Sequence, residues 1–318
     1  MSGRVFVSRA FPSELIPAAL TDNYEVDVWP KASPPSDEQL RRRVAGCVGL
    51  LCMLTDRIDQ ALLRAAGPQL RVVSQMAVGV DNIDLAACSR QGVVVGHTPG
   101  VLSESTADLA LALMLIIRRQ LFAAAARARA GQWRSWEPFS DLGEDLNGST
   151  IGLWGFGRIG QAVAKRLRGF GTRVLYHGRT KKPAQLEHGA LFVPLARLLA
   201  ESDLLSIHLP LTAQTKGCVG ATVLERLKPG AALINTARGE IVDQQALIAA
   251  LDRGKLSGVG LDVTTPEPLP AQHALFRRDD VVILPHVGSS TTQTRRQMAE
   301  LAIRNLLCGL ADQPLVHS

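Results

Sequence analysis

Ile-Gly-Leu-Trp-Gly-Phe-Gly-Arg-Ile-Gly, residues 151–160, joins an apolar strand pattern to the spacing Gly-x-Gly-x-x-Gly. A helix-forming stretch follows it, and a second strand pattern begins at Arg173. In this context Gly155 permits a tight turn, Gly157 lets the backbone approach a pyrophosphate, and Gly160 lets the helix pack closely on the strand. The segment therefore predicts a βαβ unit that binds a dinucleotide at a helix N-terminus. The predicted cofactor-binding residues of this loop are Gly155, Gly157, Arg158, Ile159 and Gly160.

The end of the second strand pattern bears on the form of the dinucleotide. A carboxylate about 20 residues beyond the glycines would bind the ribose 2′-hydroxyl. Gly178 stands there instead, followed by Arg179, Thr180, Lys181 and Lys182. These side chains supply positive charge and hydroxyl donors, which favours a 2′-phosphate; a solvated basic loop is the alternative. We predict NADP as the cofactor, with NADPH preferred and NAD possible, bound by Arg179, Thr180 and Lys181.

Strand-like apolar runs alternate with helical patterns along nearly the whole chain, which predicts an α/β protein with parallel sheets. The strand patterns of the first hundred residues lie at 5–7, 24–28, 48–53, 72–75 and 93–95. Those of the second half lie at 151–154, 173–176, 204–208, 232–235, 258–263 and 281–284. We predict two doubly wound, Rossmann- or flavodoxin-like domains with the active site in the cleft between them. The predicted substrate-binding domain covers residues 1–98 and 290–318, and the predicted dinucleotide-binding domain covers 99–289.

Two long helical patterns complete the organisation. One runs from Ser103 to about Ala130, and its first half is apolar around most of its circumference. Such a helix must be buried on several sides, either in the core of one subunit or at a subunit interface. The other, Thr291 to Leu310, follows the second set of strands. We expect it to pack on the first domain, which would make that domain discontinuous.

The composition is that of a globular protein, with 318 residues, of which 46% are hydrophobic and 20% charged. The longest apolar stretch, 109–117, is far shorter than the roughly 20 residues that cross a bilayer. The N-terminus lacks a secretory pattern, and the five cysteines show no zinc-ligand spacing. We therefore predict a cytoplasmic protein with reduced thiols, no metal and no membrane partner. The net charge of +6 is spread along the chain, which disfavours nucleic acid and suits a small acidic ligand.

Three segments of the second half carry polar side chains where strands meet loops, the place where parallel sheets bind ligands. Arg238 offers a permanently charged fork for a carboxylate, and His286 can deliver a proton to a carbonyl oxygen. Glu267 can hydrogen-bond the imidazole and favour its protonated form. Singly, each residue has a simpler explanation as a surface ion-pair partner, a strand-end histidine or a turn residue. Together they suit hydride transfer to a 2-oxo acid.

The motifs Gly-x-Gly-x-x-Gly, Asn-Thr-Ala-Arg-Gly, Gly-Leu-Asp-Val with Pro-Glu-Pro, and Pro-His-Val-Gly-Ser resemble the D-isomer-specific 2-hydroxyacid dehydrogenases. The resemblance extends over essentially the whole chain. It implies that Arg238 binds substrate, that His286 is the acid–base and that Glu267 is its partner. It also implies that the backbone N–H groups of Val78 and Gly79 hold the substrate carboxylate.

Within the family, Gly178 with Arg179 and the loops 131–138 and 261–270 look most like the glyoxylate and hydroxypyruvate reductases. That likeness implies NADPH-dependent reduction of a small 2-oxo acid to the D-2-hydroxy acid by a homodimer. It also implies that Trp136 reaches the substrate of the neighbouring subunit, with packing of the linker as the alternative. The further cofactor-binding residues that it implies are Pro210, Thr236, Asp262 and Gly288, and the further substrate-binding residue is Ser289.

The same residues also distinguish between other functions of this family. Formate dehydrogenases pair the histidine with a glutamine, whereas this chain has Glu267, and phosphite dehydrogenases carry a lysine in the loop that here reads Ala77-Val78-Gly79. A 3-phosphoglycerate dehydrogenase or another D-2-hydroxyacid dehydrogenase is the main alternative, although the former usually bears the ribose-binding acid. A dinucleotide-sensing corepressor-like binding module is the alternative that is not an enzyme.

Overall fold

The computed structural model describes residues 3–318, and the chain divides into two compact units. The first unit contains the residues up to Leu102 together with Thr291–Ser318, and the second contains Ser103–Ser290. Each unit is built on one sheet in which all paired strands are parallel. The predicted α/β class with two doubly wound parallel sheets is confirmed.

The first unit has five strands in the order β2-β1-β3-β4-β5. The strands are β1 Arg4–Val7, β2 Glu25–Val28, β3 Cys47–Cys52, β4 Val72–Gln75 and β5 Val94–Gly96. The helices are α1 Ala18–Thr21, α2 Asp37–Val44, α3 Gln60–Ala66, α4 Leu85–Arg90 and, from the end of the chain, α12 Thr292–Leu310. Every residue of β3 and β4 is buried, as expected for parallel strands with helices on both faces. The strand order reverses between β1 and β3, and because all strands are parallel the loops after them lie at the carboxyl edge of the sheet.

Helix α12 covers one face of this sheet. Its Ala302 and Leu306 share a buried apolar cluster with Val5, Leu51 and Val72. The approach is close because a glycine faces the sheet: a Cβ added at Gly309 would lie 2.5 Å from a methyl carbon of Val72. The last helix is therefore part of the core of the first unit.

The second unit has seven strands in the order β12-β11-β10-β9-β6-β7-β8. The strands are β6 Thr150–Trp154, β7 Arg173–His177, β8 Leu191–Phe192, β9 Leu204–Ile207, β10 Ala231–Asn235, β11 Leu256–Leu261 and β12 Val281–Ile283. The helices are α5 Ser103–Arg118, α6 Leu121–Arg129, α7 Arg158–Leu167, α8 Ala184–Glu187, α9 Leu195–Glu201, α10 Ala221–Glu225 and α11 Gln244–Asp252. The order reverses between β6 and β9, which places the loops after these two strands side by side. The edge strand β8 has only two residues and was not predicted.

The predicted single helix from Ser103 to Ala130 is wrong. Gln120 adopts a left-handed conformation with φ 51°, and the axes of α5 and α6 differ by 69°. Leu113 and Met114 of α5 are fully buried in the core of the second unit, which accounts for much of the apolar circumference of this helix. Helix α6 has no buried residue. Within residues 3–318 no single helix is long and apolar enough to cross a bilayer, although the bent pair of α5 and α6 together reaches that length and composition.

Candidate active site

The glycine loop after β6 has a shape that only glycine tolerates. Gly155 has φ 99°, and a Cβ there would lie 2.4 Å from the carbonyl oxygen of His208. A Cβ at Gly160 would lie 2.5 Å from the carbonyl oxygen of Gly155, so helix α7 approaches the turn closely. Gly157 has open space where its side chain would be. The turn therefore leaves room for a ligand beside Gly157.

Helix α7 begins beside this space without a side-chain cap. Its N-cap residue is Gly157, and no side chain caps it, as is also true of α1, α6, α8, α9 and α10. The first N–H groups of an uncapped helix keep their hydrogen-bonding capacity, and the helix dipole favours an anion there. Arg158 and Ile159 form the first turn of α7. The loop thus fits the pyrophosphate of a dinucleotide.

The loop after β7 is basic and open. Arg179, Thr180 and Lys181 are exposed, and a Cβ added at Gly178 would come no nearer than 3.8 Å to another residue, at the backbone nitrogen of Phe156. The hydroxyl of Tyr176 accepts a hydrogen bond from the backbone N–H of Lys182 and donates one to Glu187. Tyr176 is buried and its ring stacks on Phe156. This contact ties the basic loop to the glycine loop.

Glu267 and His286 form a hydrogen-bonded pair, with 2.5 Å between Oε1 of Glu267 and Nδ1 of His286. The carboxylate oxygen accepts, so Nδ1 carries the hydrogen and Nε2 remains available to a substrate. Burial opposes ionisation of Glu267, but the hydrogen bond and the positive charge of His286 outweigh it, and the pKa of Glu267 is lowered. His286 has a left-handed backbone with φ 55°, held by hydrogen bonds from its N–H to the carbonyl oxygens of Asp262 and Leu284. The turn thus fixes the direction of the imidazole.

Arg238 follows β10 on a turn that the buried Asn235 organises. Asn235 donates to the carbonyl oxygen of Arg238 and accepts from the N–H of Ala237. The next residue, Gly239, packs tightly on the loop after β11, because a Cβ there would lie 2.0 Å from the carbonyl oxygen of Thr264. The charge of Arg238 also contributes to the lowered pKa of Glu267. Arg238, Glu267 and His286 therefore belong to one electrostatic group in the second unit.

Asp262 supports the turn that carries His286. Its carboxylate accepts hydrogen bonds from the N–H groups of Val287 and Gly288, at 2.7 and 2.8 Å. Burial raises the pKa of Asp262, although these two bonds and the charge of His286 oppose the rise. Ser289, the next residue along this turn, is half-buried.

Thr236 and Pro210 lie at the ends of neighbouring strands. The hydroxyl of Thr236 is buried and has no hydrogen-bond partner within the described part of the chain. A buried polar group without a partner is costly, so this hydroxyl fits a polar ligand that completes it. Pro210, after β9, is exposed, and its carbonyl oxygen accepts from the hydroxyl of Thr215.

In the first unit, the loop after β4 presents backbone N–H groups. Val78 and Gly79 are half-buried, and their N–H groups meet no acceptor among residues 3–318. Their carbonyl oxygens are bound from behind by His97 and Gln75. Neither His97 nor Gln75 was among the predicted site residues. His97 lies at the end of β5, so the signal of polar residues at strand ends could have found it.

Trp136 lies after α6 and is 83% exposed. Its predicted role stays a prediction. No group of three His, Cys, Asp or Glu side chains between residues 3 and 318 is arranged to hold a metal ion. The cysteines carry free thiols, and burial with the nearby charge of Asp84 raises the pKa of Cys88 to about 11.

Comparison with known proteins agrees with this geometry. A family model described as "D-isomer specific 2-hydroxyacid dehydrogenase, NAD binding domain" matches residues 111–288. The glyoxylate reductase/hydroxypyruvate reductase of Mus musculus is 44% identical over 315 residues, which cover 98% of this chain and 96% of that protein. The crystal structure of the TT0316 protein from Thermus thermophilus has 46% identity and a TM-score of 0.93, covering 99% of both chains. An NADPH-dependent glyoxylate/hydroxypyruvate reductase from Sinorhizobium meliloti, in complex with NADP and malonate, has 32% identity and a TM-score of 0.86, covering 100% of this chain and 96% of that one.

The chain belongs to the D-isomer specific 2-hydroxyacid dehydrogenase family, and the predicted family is confirmed. It is an NAD(P)-dependent dehydrogenase, as the motifs predicted. The open space at Gly157, the uncapped helix α7 and the unpaired hydroxyl of Thr236 fit the nicotinamide dinucleotide that this family uses.

Proposed function

We propose that this protein reduces glyoxylate, hydroxypyruvate or a similarly small 2-oxo acid to the D-2-hydroxy acid, with NADPH as the preferred cofactor. The ordered pair of Glu267 and His286 carries the proposal, because it presents one ring nitrogen to a substrate oxygen. The similarity to glyoxylate and hydroxypyruvate reductases over nearly the whole chain supports the substrate class.

The proposed roles follow from the chemistry of each group. The nicotinamide dinucleotide, when bound, supplies the hydride. Arg238 binds the substrate carboxylate and polarises the neighbouring carbonyl, and the N–H groups of Val78 and Gly79 donate to the same carboxylate. His286 holds a proton on Nε2 and donates it to the carbonyl oxygen as negative charge develops there. Glu267 stays ionised because its pKa is lowered, and so favours the protonated imidazole.

Replacing His286 tests the proposed acid. His286→Ala should lower kcat for glyoxylate and hydroxypyruvate by roughly 100-fold or more and leave the Kd for NADPH nearly unchanged. His188→Asn is the control, because His188 lies outside the proposed site in a left-handed turn that asparagine tolerates. The measurement is NADPH absorbance with a panel of 2-oxo acids that includes 3-phosphohydroxypyruvate. Tight cofactor binding by the wild type without turnover would instead favour a binding module, and a preference for the phosphorylated acid would favour a phosphoglycerate dehydrogenase.

The NADPH preference is supported by the exposed cationic loop after β7 and by the absence of a carboxylate at Gly178. Gly178→Asp should lower kcat/KM with NADPH about tenfold or more and narrow or reverse the preference, because a carboxylate repels the 2′-phosphate and binds the ribose hydroxyls. The backbone at Gly178 has room for the side chain. Gly169→Asp is the control, because it makes the same change in open space elsewhere in this unit. It should leave the ratio of kcat/KM with NADPH to kcat/KM with NADH unchanged. A clear NADH preference of the wild type contradicts the assignment.

We further propose a homodimer in which a second copy covers the segment after α6. Trp133, Trp136 and Phe139 are 76, 83 and 85% exposed, and large exposed apolar clusters mark interaction surfaces. In the proposed dimer, Trp136 borders the substrate of the partner subunit. Light scattering after gel filtration measures the mass, and Trp136→Ala should raise KM for the 2-oxo acid.

A mixed dimer decides whether Trp136 acts on the partner. Purified mixed dimers of His286→Ala and Trp136→Ala, assayed at a 2-oxo acid concentration below the wild-type KM, should have about one working site each, because one site then combines an intact His286 with the partner's intact tryptophan. If the tryptophan served its own subunit, neither site would be intact and activity would stay low.

A further inference from the structure

His97 hydrogen-bonds the loop after β4 that contains Val78 and Gly79. We call this loop the carboxylate turn, because it is proposed to bind the carboxylate of the substrate. Its Nδ1 lies 2.8 Å from the carbonyl oxygen of Val78. A carbonyl oxygen can only accept, so the imidazole donates this hydrogen bond from Nδ1. The side chain comes from the end of β5, 19 residues further along the chain.

This bond fixes the direction of one particular N–H group. The peptide unit between Val78 and Gly79 is trans, and in a trans unit the carbonyl and the following N–H point in opposite directions. Holding the carbonyl of Val78 toward His97 therefore turns the N–H of Gly79 away from His97. That N–H meets no acceptor between residues 3 and 318, and Gly79 is half-buried.

The backbone of His97 is itself held on both sides. Its carbonyl oxygen accepts from Nδ2 of Asn305, a fully buried residue of α12. Its N–H donates to the carbonyl oxygen of His317, whose own N–H donates to Oδ1 of Asn305. A Cβ added at the preceding residue, Gly96, would lie 2.8 Å from the Cβ of Asn305, so α12 approaches β5 closely. The imidazole therefore projects from an anchored backbone.

We propose that His97 is a positioning residue that aims the N–H of Gly79 at the carboxylate of the substrate. The inference deepens the proposed function and rests on its assignment of this loop. His97 acts through the peptide unit and does not touch the reacting atoms. Its loss should weaken acid binding and leave cofactor binding and proton transfer unchanged.

A matched pair of variants isolates the hydrogen bond. Asparagine and leucine have nearly the same shape, and Nδ2 of asparagine can occupy the place of Nδ1 of histidine. His97→Leu should raise KM for glyoxylate roughly three- to tenfold, the effect of one hydrogen bond, with kcat and the Kd for NADPH unchanged. His97→Asn should keep KM within about twofold of the wild type. His317→Ala is the control, since the bonds that His317 makes to His97 and Asn305 come from its backbone.

A second measurement does not depend on turnover. In protein labelled with 15N-glycine, titration with oxalate should shift the Gly79 amide signal of the wild type and of His97→Asn, and should shift it much less in His97→Leu. If His97→Leu does not fold, His97→Ala, which also lacks the donor, takes its place.

The outcomes separate the two proposals. A wild type that reduces neither glyoxylate nor hydroxypyruvate ends the proposed function, while the Gly79 signal still decides the role of His97. The positioning role is overturned if the wild-type signal does not respond to oxalate, if His97→Leu behaves as the wild type does, or if the asparagine and leucine variants are equally impaired.

Discussion

The two turns proposed to bind anions present their N–H groups by different means. The turn from Gly155 to Gly160 is shaped by its own backbone, with a positive φ at Gly155 and the uncapped start of α7. The turn at Val78 and Gly79 has no positive φ and is held by two side chains, Gln75 from the end of β4 just before it and His97 from the end of β5. The first conformation is set by its own backbone, and the second depends on side-chain hydrogen bonds, one of them from His97, which Asn305 of α12 anchors. The two turns should therefore fail in different ways when they are altered.

The largest effect is expected at the glycine turn. Gly155→Ala places a methyl group 2.4 Å from the carbonyl oxygen of His208 on a backbone with φ 99°, so the turn must move. The Kd for NADPH should rise by about 100-fold or more, because the aligned N–H groups are lost together. Fluorescence titration measures this, and Gly169→Ala, in open space on ordinary backbone, is the control. Unchanged affinity in Gly155→Ala would show that the turn is not set by its glycine.

The turn at Val78 and Gly79 should respond to loss of the buried amide at the end of β4. Nε2 of Gln75, which is fully buried, donates to the carbonyl oxygen of Gly79. Gln75→Leu should raise KM for the 2-oxo acid about tenfold and lower the free energy of unfolding by about 1–3 kcal/mol, since it leaves buried partners unpaired. Gln91→Leu also removes bonds from an amide to carbonyl oxygens, those of Leu63 and Gly67, and is a control of similar structural cost. Urea unfolding measures the free energy of unfolding, and steady-state kinetics measure KM. If Gln75→Leu and Gln91→Leu have equal KM values, the turn needs no support from Gln75.

The smallest effect is the loss of stability at acid pH caused by His208, the residue whose carbonyl oxygen faces Gly155. Burial lowers the pKa of His208 to about 4, and the unfolded value is about 6.5. Between these values the unfolded chain binds a proton that the folded chain does not, so stability falls as pH drops from about 6.5 toward 4. The free energy of unfolding should fall by about 1–3 kcal/mol over this range. In His208→Gln it should depend less on pH between 6.5 and 4. Thermal unfolding from pH 7.5 to 4.5 measures this change in stability. If the stability of the wild type and of His208→Gln falls equally over this range, His208 is not the cause.

The sequence predicts what is encoded locally. The glycine motif and the parallel α/β class could be predicted, and the predicted strands lie within about two residues of the observed ones because buried parallel strands have continuous apolar patterns. Two local features were missed. The break at Gln120 involves neither glycine nor proline, and β8 is too short to show a pattern.

The long-range anchor of the turn at Val78 and Gly79 could not be predicted in this way. Asn305 binds His97 across 208 residues, and no local pattern identifies a partner at that distance. In the sequence, His97 is only a polar residue after a predicted strand. Its anchoring becomes visible once the fold brings α12 next to β5. Gln75 and His97 do lie at strand ends, but only the folded chain shows that they bind the carbonyl oxygens of Gly79 and Val78.

Helix α12 has a consequence for the order in which the molecule can be built. A ribosome completes all of Ser103–Ser290 before it starts the helix that covers Val5, Leu51 and Val72. The second unit is continuous and can fold as soon as it leaves the exit tunnel. The first unit is synthesised earliest and finished last, so one face of its sheet waits uncovered for nearly the whole time of synthesis. Apolar surface exposed in this way is the kind of surface that chaperones cover, and the α12 face of the first sheet supplies it.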